Sequence, residues 1–319
     1  MQSFWTSNPC VPSWVETLRM RWFGEYPKLL QTNPPIHHTT LPGFVCRPAE
    51  FEEIEEVCGF WYSWYNTAPH SRCAIPAWIV KEYVLLKRWE LLIVRKKDNG
   101  NQLIGTIVRR TLENLQVYEA KWPQAAVVDF YCIHPAYRKK GIGRLLLTEL
   151  QNSGKRPFPP HLILWEFVNP FFPPLSVGAF YYRMYGTPSV PCTVLEGGDA
   201  EREWNSLTER KPIRSGWMKR SRELTVYRVG TFGHIAIWNT FHISLPAAKP
   251  VQIVLAYTSM QTLQVFCGDG SKEEGILIAD RTSLQDTFPE GWKFDSMFQW
   301  VGYNLALGKV CSEAPCLGF

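Results

Sequence analysis

Hydrophobic and polar positions repeat along this chain with two different periods. Residues 51–64 carry acidic and aromatic side chains at helical spacing, and 77–86 repeat that spacing over a shorter run, so both predict helices. Residues 91–95 and 103–109 read as strands around the turn-forming KDNGN, which predicts a hairpin. A strongly apolar strand follows at 125–133. Residues 141–151 then place Ile142, Leu145, Leu146 and Leu150 on one helical face, before a further strand at 161–167. The proline-rich NPFFPPLSVG leads into FYYRMYG, whose aromatic spacing predicts a helix, and 186–215 is turn-rich and polar. Strand-like runs return at 224–229, 234–245, 251–259, 275–280 and 298–307. Residues 1–42, rich in Pro, Trp and His, lack a sustained period and predict an extended arm. This order implies an α/β (α+β) architecture.

Composition narrows the class. At 319 residues the chain has room for about two domains. A hydrophobic content of 45% argues against disorder. The net charge of +5 is not gathered into a long basic block, so no nucleic-acid partner is expected, whereas an anionic small ligand fits. Nine scattered cysteines form no CxxC pair and read as reduced thiols, not as a disulfide framework; no metal is expected. The N-terminus has no basic segment followed by an apolar one, and no apolar stretch is long enough to span a bilayer. Integral membrane association is therefore not expected, and a cytoplasmic monomer is (in the host cytoplasm if the source is viral).

The sharpest chemistry lies in VVDFYCIHPAYRKKGIGRLLLTEL. A strand ends at His134-Pro135, and Arg138-Lys139-Lys140-Gly141-Ile142-Gly143 opens a leucine-rich helix. Glycines let backbone N–H groups approach an anion, and the helix N-terminus supplies the positive end of a dipole. Arg138, Lys139 and Lys140 add charge suited to a pyrophosphate. Both GxGxxG and GxxxxGK[ST] are absent, which excludes the Rossmann and Walker loops. The same loop could also be a basic turn capping an ordinary helix. Its Arg-x-x-Gly-x-Gly spacing resembles the acyl-CoA pyrophosphate loop of the GNAT acyltransferase superfamily. That resemblance implies a splayed strand before the loop. Phe130 and Tyr131 would then turn backbone N–H groups toward a thioester carbonyl, with Cys132 and Ile133 completing the acyl-CoA surface.

Further segments, in order, resemble one branch of that superfamily, the glycylpeptide N-myristoyltransferases. Phe4-Trp5-Thr6-Ser7-Asn8-Pro9 is similar to the family's FWxTQP arm, and Leu41–Phe44 to its LPxGF entry. DFYCIH at 129–134 resembles NFLCVH, FHISLP at 241–246 resembles SFYTLP, VLAYTSMQT at 254–262 resembles AAYSFYNVHT, and DSMFQWVGYN at 295–304 resembles DGNLQYYLYN. The resemblance implies two fused GNAT-like halves around a mixed, mostly antiparallel sheet. It divides the chain into an arm over 1–42 that wraps acyl-CoA through Phe4 and Trp5, an acyl-CoA-binding half over 43–186, and a half over 187–319 that forms the peptide groove. The implied reaction is direct transfer of myristoyl from myristoyl-CoA to the N-terminal glycine amine of a protein. The family's base is a C-terminal carboxylate, here that of Phe319, since 15 residues follow Tyr303-Asn304. Cys132, His134, Tyr181 and Tyr182 invite a nucleophile or base reading, but direct transfer needs no enzyme nucleophile, and Cys132 is read as buried packing.

Departures from the family pattern shape the rest. Where the family places Asn and Thr around the incoming amine, this chain aligns Asp129 and Glu166, with Tyr182 as a further substrate contact. The acidic loop that reads the peptide becomes NTAPHSR, and Arg228 leads almost directly to the strand at Ile235, so the second half is shortened. Two other readings stand beside the first: an N-acetyltransferase using acetyl-CoA, and a non-catalytic acyl-CoA or lipopeptide binder.

Overall fold

The structure is a computed structural model that describes residues 8, 10–36, 39–65, 70–98, 101–154, 157–165, 173–217, 221–268, 272–280, 291–311 and 314–317. Helix α1 (Trp14–Phe23) comes first, then strands β1 (Lys28–Leu29) and β2 (Phe44–Pro48). Helix α2 (Ile54–Trp64), β3 (Ser71–Cys73) and α3 (Ala77–Leu85) precede the long strands β4 (Trp89–Lys96), β5 (Leu103–Val117) and β6 (Ala120–Ile133). After α4 (Ile142–Asn152) come β7 (His161–Trp165), β8 (Pro174–Tyr185), β9 (Cys192–Val194), α5 (Gly197–Thr208) and β10 (Ile213–Arg214). The remainder is β11 (Leu224–Val229), β12 (Gly233–Ser244), β13 (Lys249–Tyr257), α6 (Met260–Cys267), β14 (Gly275–Asp280), β15 (Lys293–Tyr303) and β16 (Leu305–Ala306).

One sheet of fourteen described strands carries the order β2-β4-β5-β6-β7-β15-β8-β14-β13-β12-β11-β9, with β10 beside β5 and β3 beside β12. Its ladders are antiparallel except for β6 with β7 and β13 with β14. Each parallel pair needs a crossover, and each has one: α4 joins β6 to β7 and α6 joins β13 to β14. The mixed, mostly antiparallel sheet with two βαβ units is the architecture expected from the sequence. The second unit is the smaller, with 8 residues in α6 against 11 in α4.

Side-chain alternation sorts the first unit into three layers. Leu92 and Val94 of β4 face α4 with Ile104 and Ile107, whereas Leu91 and Ile93 face α2 and α3. Helix α4 approaches closely because Gly105 has no Cβ; one there would lie 3.1 Å from Ile142.

Three elements differ from the sequence expectation. The predicted arm contains α1, because Ser13 caps it by accepting the Glu16 N–H at 3.1 Å and Gly24 closes it at φ +61°. FYYRMYG is not a helix but the end of β8, hydrogen-bonded to β14 on one side and β15 on the other. Phe and Tyr suit a pleated surface, and pairing along both edges outweighs a short aromatic spacing. The polar 186–215 stretch holds α5, which buries Ala200, Trp204 and Thr208 along one face.

His161 opens the parallel β6–β7 pair opposite Ala126. Its Nδ1–H donates to the Pro159 carbonyl at 2.8 Å, and burial, reinforced by the nearby Arg109 charge, lowers its pKa to about 3. The folded state therefore resists a proton that the unfolded chain accepts near pH 6.5. The stability conferred by neutral His161 is fully present above pH 6.5 and falls as the pH drops toward 3. Urea unfolding across that range is expected to show the loss, and His161→Leu is expected to flatten that part of the profile.

Candidate active site

The site begins with a break in register. Thr106 of β5 pairs with Cys132, but Val108 pairs with Asp129, so Ile107 alone stands opposite both Phe130 and Tyr131. This one-residue bulge holds Phe130 at φ +48°, a left-handed conformation that a side chain rarely adopts. It also reverses which residues face which layer. Before the bulge, Ala125 and Val127 point away from α4 and Val128 toward it; after it, Phe130 and Cys132 join the cluster beneath α2 on the face away from α4. Asp129 and Phe130 consequently share one face.

Packing and hydrogen bonds hold the bulge. The Thr106 hydroxyl donates to the Phe130 carbonyl at 2.9 Å and accepts the Trp61 indole N–H at 2.8 Å. The Phe130 ring lies 4.2 Å from Trp61, 5.0 Å from Tyr65 and 5.3 Å from Trp89, centroid to centroid. Strained backbone of this kind persists where its surroundings over-determine it.

The same bulge lies just past the point where β6 and β7 stop pairing. Their ladder covers Ala126 to Val128 against His161 to Ile163, and beyond it the described residues of β6 pair with β5 and with no second strand. The sheet therefore opens a split at Asp129, as the sequence implied. One expectation needs correction: the Phe130 N–H is not left free there, since it donates to Asp129 Oδ1 at 2.7 Å.

Asp129 anchors a buried polar chain. Its carboxylate also accepts the Tyr65 hydroxyl at 2.6 Å and Arg110 Nη1 at 3.0 Å. Arg110, almost fully buried, donates through Nη2 to Glu223 at 2.5 Å, and its guanidinium lies over the rings of Trp89 and Trp238. Glu223 in turn accepts the Tyr83 hydroxyl at 3.1 Å. Burial pushes the Glu223 carboxyl up, and the adjacent Arg110 opposes the rise. Beside Tyr65, at 5.9 Å, lies the ring of His242. A second bulge, between Asn239 and His242 of β12, brings it there. Its Nδ1 lies 3.1 Å from the Thr240 carbonyl, which can only accept, so Nδ1 carries the proton and Nε2 the lone pair. Burial lowers the imidazole pKa from its ordinary value.

At the end of β6 the loop Arg138-Lys139-Lys140-Gly141 is exposed throughout. Lys139 at φ +62° and Gly141 at φ +88° alternate with right-handed or extended residues, a pattern that turns successive N–H groups to one side. Gly141 is the N-cap of α4 and has no side chain with which to cap its first N–H groups. Arg144, also exposed, adds a fourth positive charge. Ile142, the first residue of α4, is buried against the sheet. Gly143 has a different reason: an added Cβ would collide with the Tyr131 hydroxyl, so this glycine admits the exposed Tyr131 ring. Ile133 packs under the same helix, and burial pushes the Cys132 thiol up to about 12, which agrees with packing and not nucleophilic use.

The structure thus brings together Asp129, Phe130, Tyr131, Cys132, Ile133 and the 138–143 loop. Tyr182 stands apart, on β8, three strand positions from β6 and paired with Ile278 and Lys293. Phe4, Trp5, Glu166 and Phe319 lie outside the described residues. Tyr65, Arg110, Glu223 and His242 were not foreseen. Arg110 alone left a signal: it falls between Val108 and Leu112 on the inward period of an apolar strand, where a charge requires a buried partner. Among the described residues no group of three His, Cys, Asp or Glu side chains could hold a metal, and no helix is long and apolar enough to cross a membrane.

The split and the basic loop both lie in the first βαβ unit, within a segment that matches a known family. Residues 50–158 match the model of the acetyltransferase (GNAT) family. Over most of the chain the fold is similar to that of a yeast N-myristoyltransferase. A Saccharomyces cerevisiae N-myristoyltransferase structure with bound myristoyl-CoA superposes at a TM-score of 0.69, covering 97% of this chain and 94% of that one at 12% identity. A second structure of that yeast enzyme, also with myristoyl-CoA, gives 0.67 over 89% and 85% at 11% identity. A third, with inhibitors as well, gives 0.64 over 86% and 83% at 12% identity. No curated protein sequence matches the chain.

Arg110 carries the clearest prediction at this site. Arg110→Met would leave the Asp129 and Glu223 carboxylates without their shared cation, and urea unfolding is expected to show a loss of about 3–5 kcal/mol.

Proposed function

We propose that this protein transfers a myristoyl group from myristoyl-CoA to the N-terminal glycine amine of a protein or peptide. The observation that carries the reading is the bulge at Phe130–Tyr131 set beside an uncapped, basic helix N-terminus. Arg138, Lys139, Lys140 and the first N–H groups of α4 would hold the CoA pyrophosphate. Tyr131 N–H is assigned to the thioester carbonyl, where a preorganised donor stabilises the developing oxyanion. Asp129 faces the split and would receive the glycine ammonium, its charge already balanced in part by Arg110. Supporting a long acyl chain and a peptide substrate is the likeness, over 97% of the chain, to an N-myristoyltransferase with bound myristoyl-CoA. In this reading residues 1–42 wrap the acyl-CoA, 43–186 bind it, and 187–319 build the peptide groove.

The base is assigned to the Phe319 α-carboxylate. Leu317, two residues earlier, is buried in the same cluster as Val127 and Leu162, on the face of β6 that carries Asp129. A carboxylate there takes the ammonium proton, freeing the amine lone pair to attack the thioester carbon. The tetrahedral intermediate then collapses, the C–S bond breaks, and CoA leaves as the thiol.

A second reading, acetyl transfer from acetyl-CoA, is favoured by the acetyltransferase family match at 50–158 and by the Arg-x-x-Gly-x-Gly form of the loop.

One assay separates the two: incubate the protein with a Gly-initiated peptide and either acyl-CoA, then weigh the peptide. A myristoyl increment is expected; an acetyl increment selects the second reading, and no increment with tight CoA binding leaves only a binder. Removing Gly318 and Phe319 is expected to abolish turnover while acyl-CoA binding stays nearly intact, and unchanged turnover would remove Phe319 from the mechanism. Replacing Arg138, Lys139 and Lys140 together by Ala should weaken CoA binding about tenfold in titration calorimetry, as expected for exposed charges at an anion site.

A further inference from the structure

Helix α1 is turned almost inside out. Only Thr17 and Met20 are buried along it. Val15 is 77% exposed, Trp22 86% and Phe23 71%, while Trp14 and Leu18 are about half exposed. Trp14, Leu18 and Trp22 follow one another at four-residue intervals and Val15 stands seven before Trp22, so they form one outward stripe. Tyr26, just past the helix, is 66% exposed. At roughly 150–200 Å² for a whole large side chain, Trp14, Val15, Leu18 and Trp22 at these exposures present on the order of 400–500 Å² to solvent. That is already the size of the largest apolar patch on a typical monomer, and such patches mark interaction sites.

Charge indicates what the stripe meets. Arg19 and Arg21 are exposed and flank it on either side of the helical wheel. The nearby acids, Glu16 and Glu25, are both bonded to Lys28, at 3.5 Å and 3.1 Å. The stripe is therefore edged by positive charge, and its local acids are already engaged. A second copy laid against it would bring arginine to arginine. An apolar face with Trp and Leu, bordered by Arg, is the composition of helices that lie in the interface of an anionic bilayer.

The fold presents this face preformed. Before α1, the Asn304 N–H donates to the Cys10 carbonyl at 2.6 Å and Asn8 Nδ2 to Gln151 Oε1 at 2.6 Å. At its other end Gly308 packs so tightly that a Cβ would lie 2.9 Å from the Arg21 nitrogen. Gln151 is at the C-terminal end of α4, about 15 Å along that helix from the basic loop. The segment leading into α1 is thus anchored at the far end of α4 from the loop.

We propose that α1 is a membrane-docking helix, which sets Trp14, Val15, Leu18 and Trp22 at the boundary of headgroups and acyl chains and Arg19 and Arg21 on lipid phosphates. The proposal does not depend on the acyl-transfer reading, and its test does not measure turnover. The full chain is sedimented with vesicles of phosphatidylcholine alone and of phosphatidylcholine mixed with phosphatidylserine. The expected result is association with the serine-containing vesicles that weakens as salt rises. Arg19→Glu with Arg21→Glu is expected to cut that association roughly tenfold or more. Val15→Ser with Trp22→Ser should reduce it on both vesicle types. Both variants should retain the parent's circular dichroism and thermal midpoint, since they alter exposed side chains. Equal binding to both vesicle types, or variants that bind like the parent, would overturn the proposal. So would a concentration-dependent dimer, dissolved by Trp22→Ser, in a protein that ignores vesicles.

Discussion

Arg110 is the constraint around which the two sides of the sheet are arranged. A guanidinium taken out of water costs several kcal/mol unless its hydrogen bonds and charge are answered. Asp129 answers it from β6 and Glu223 from the residue just before β11. Trp89 and Trp238, one from each half of the sheet, close over its faces. The charge therefore ties the β4–β6 side of the sheet to the β11–β12 side near the point where the sheet splits. Tyr65 and Tyr83 complete the set from α2 and α3, so the helices over that face are held by the same network.

Asp129 belongs to this network and also to the bulge, and that double membership links stability to chemistry. Its Oδ1 takes the Phe130 N–H and the Tyr65 hydroxyl, while Oδ2 takes Arg110. The carboxylate is thus oriented before any substrate arrives. Thr106 fixes the opposite side of the bulge through the Phe130 carbonyl. A strained residue held from both sides is a preorganised one, which is what the proposed acyl transfer would require of a group that stabilises charge in its transition state.

Much of the first half was legible in the chain. The period of Ile142, Leu145, Leu146 and Leu150 and the Arg-x-x-Gly-x-Gly loop are local features, decided within a few residues of one another. Helix α1 has equally local caps, Ser13 and Gly24, but its outward apolar residues obscure the amphipathic period that normally reveals a helix. The end of β8 failed for the opposite reason: FYYRMYG is compatible with either state alone, and only its two neighbouring strands decide.

By itself the sequence determined the strand–helix–strand unit around the basic loop and the positive charge of that loop, because turn chemistry, helix capping and hydrophobic period act over short range; the mixed sheet was implied by the family resemblance. Tertiary structure alone decided that Asp129 meets Arg110 and Tyr65, that Glu223 arrives from more than a hundred residues away, and that the Phe130 N–H is already bonded. A one-residue bulge and a buried charge are matters of register and desolvation. Both depend on which strands lie side by side, and no stretch of the chain contains that information alone.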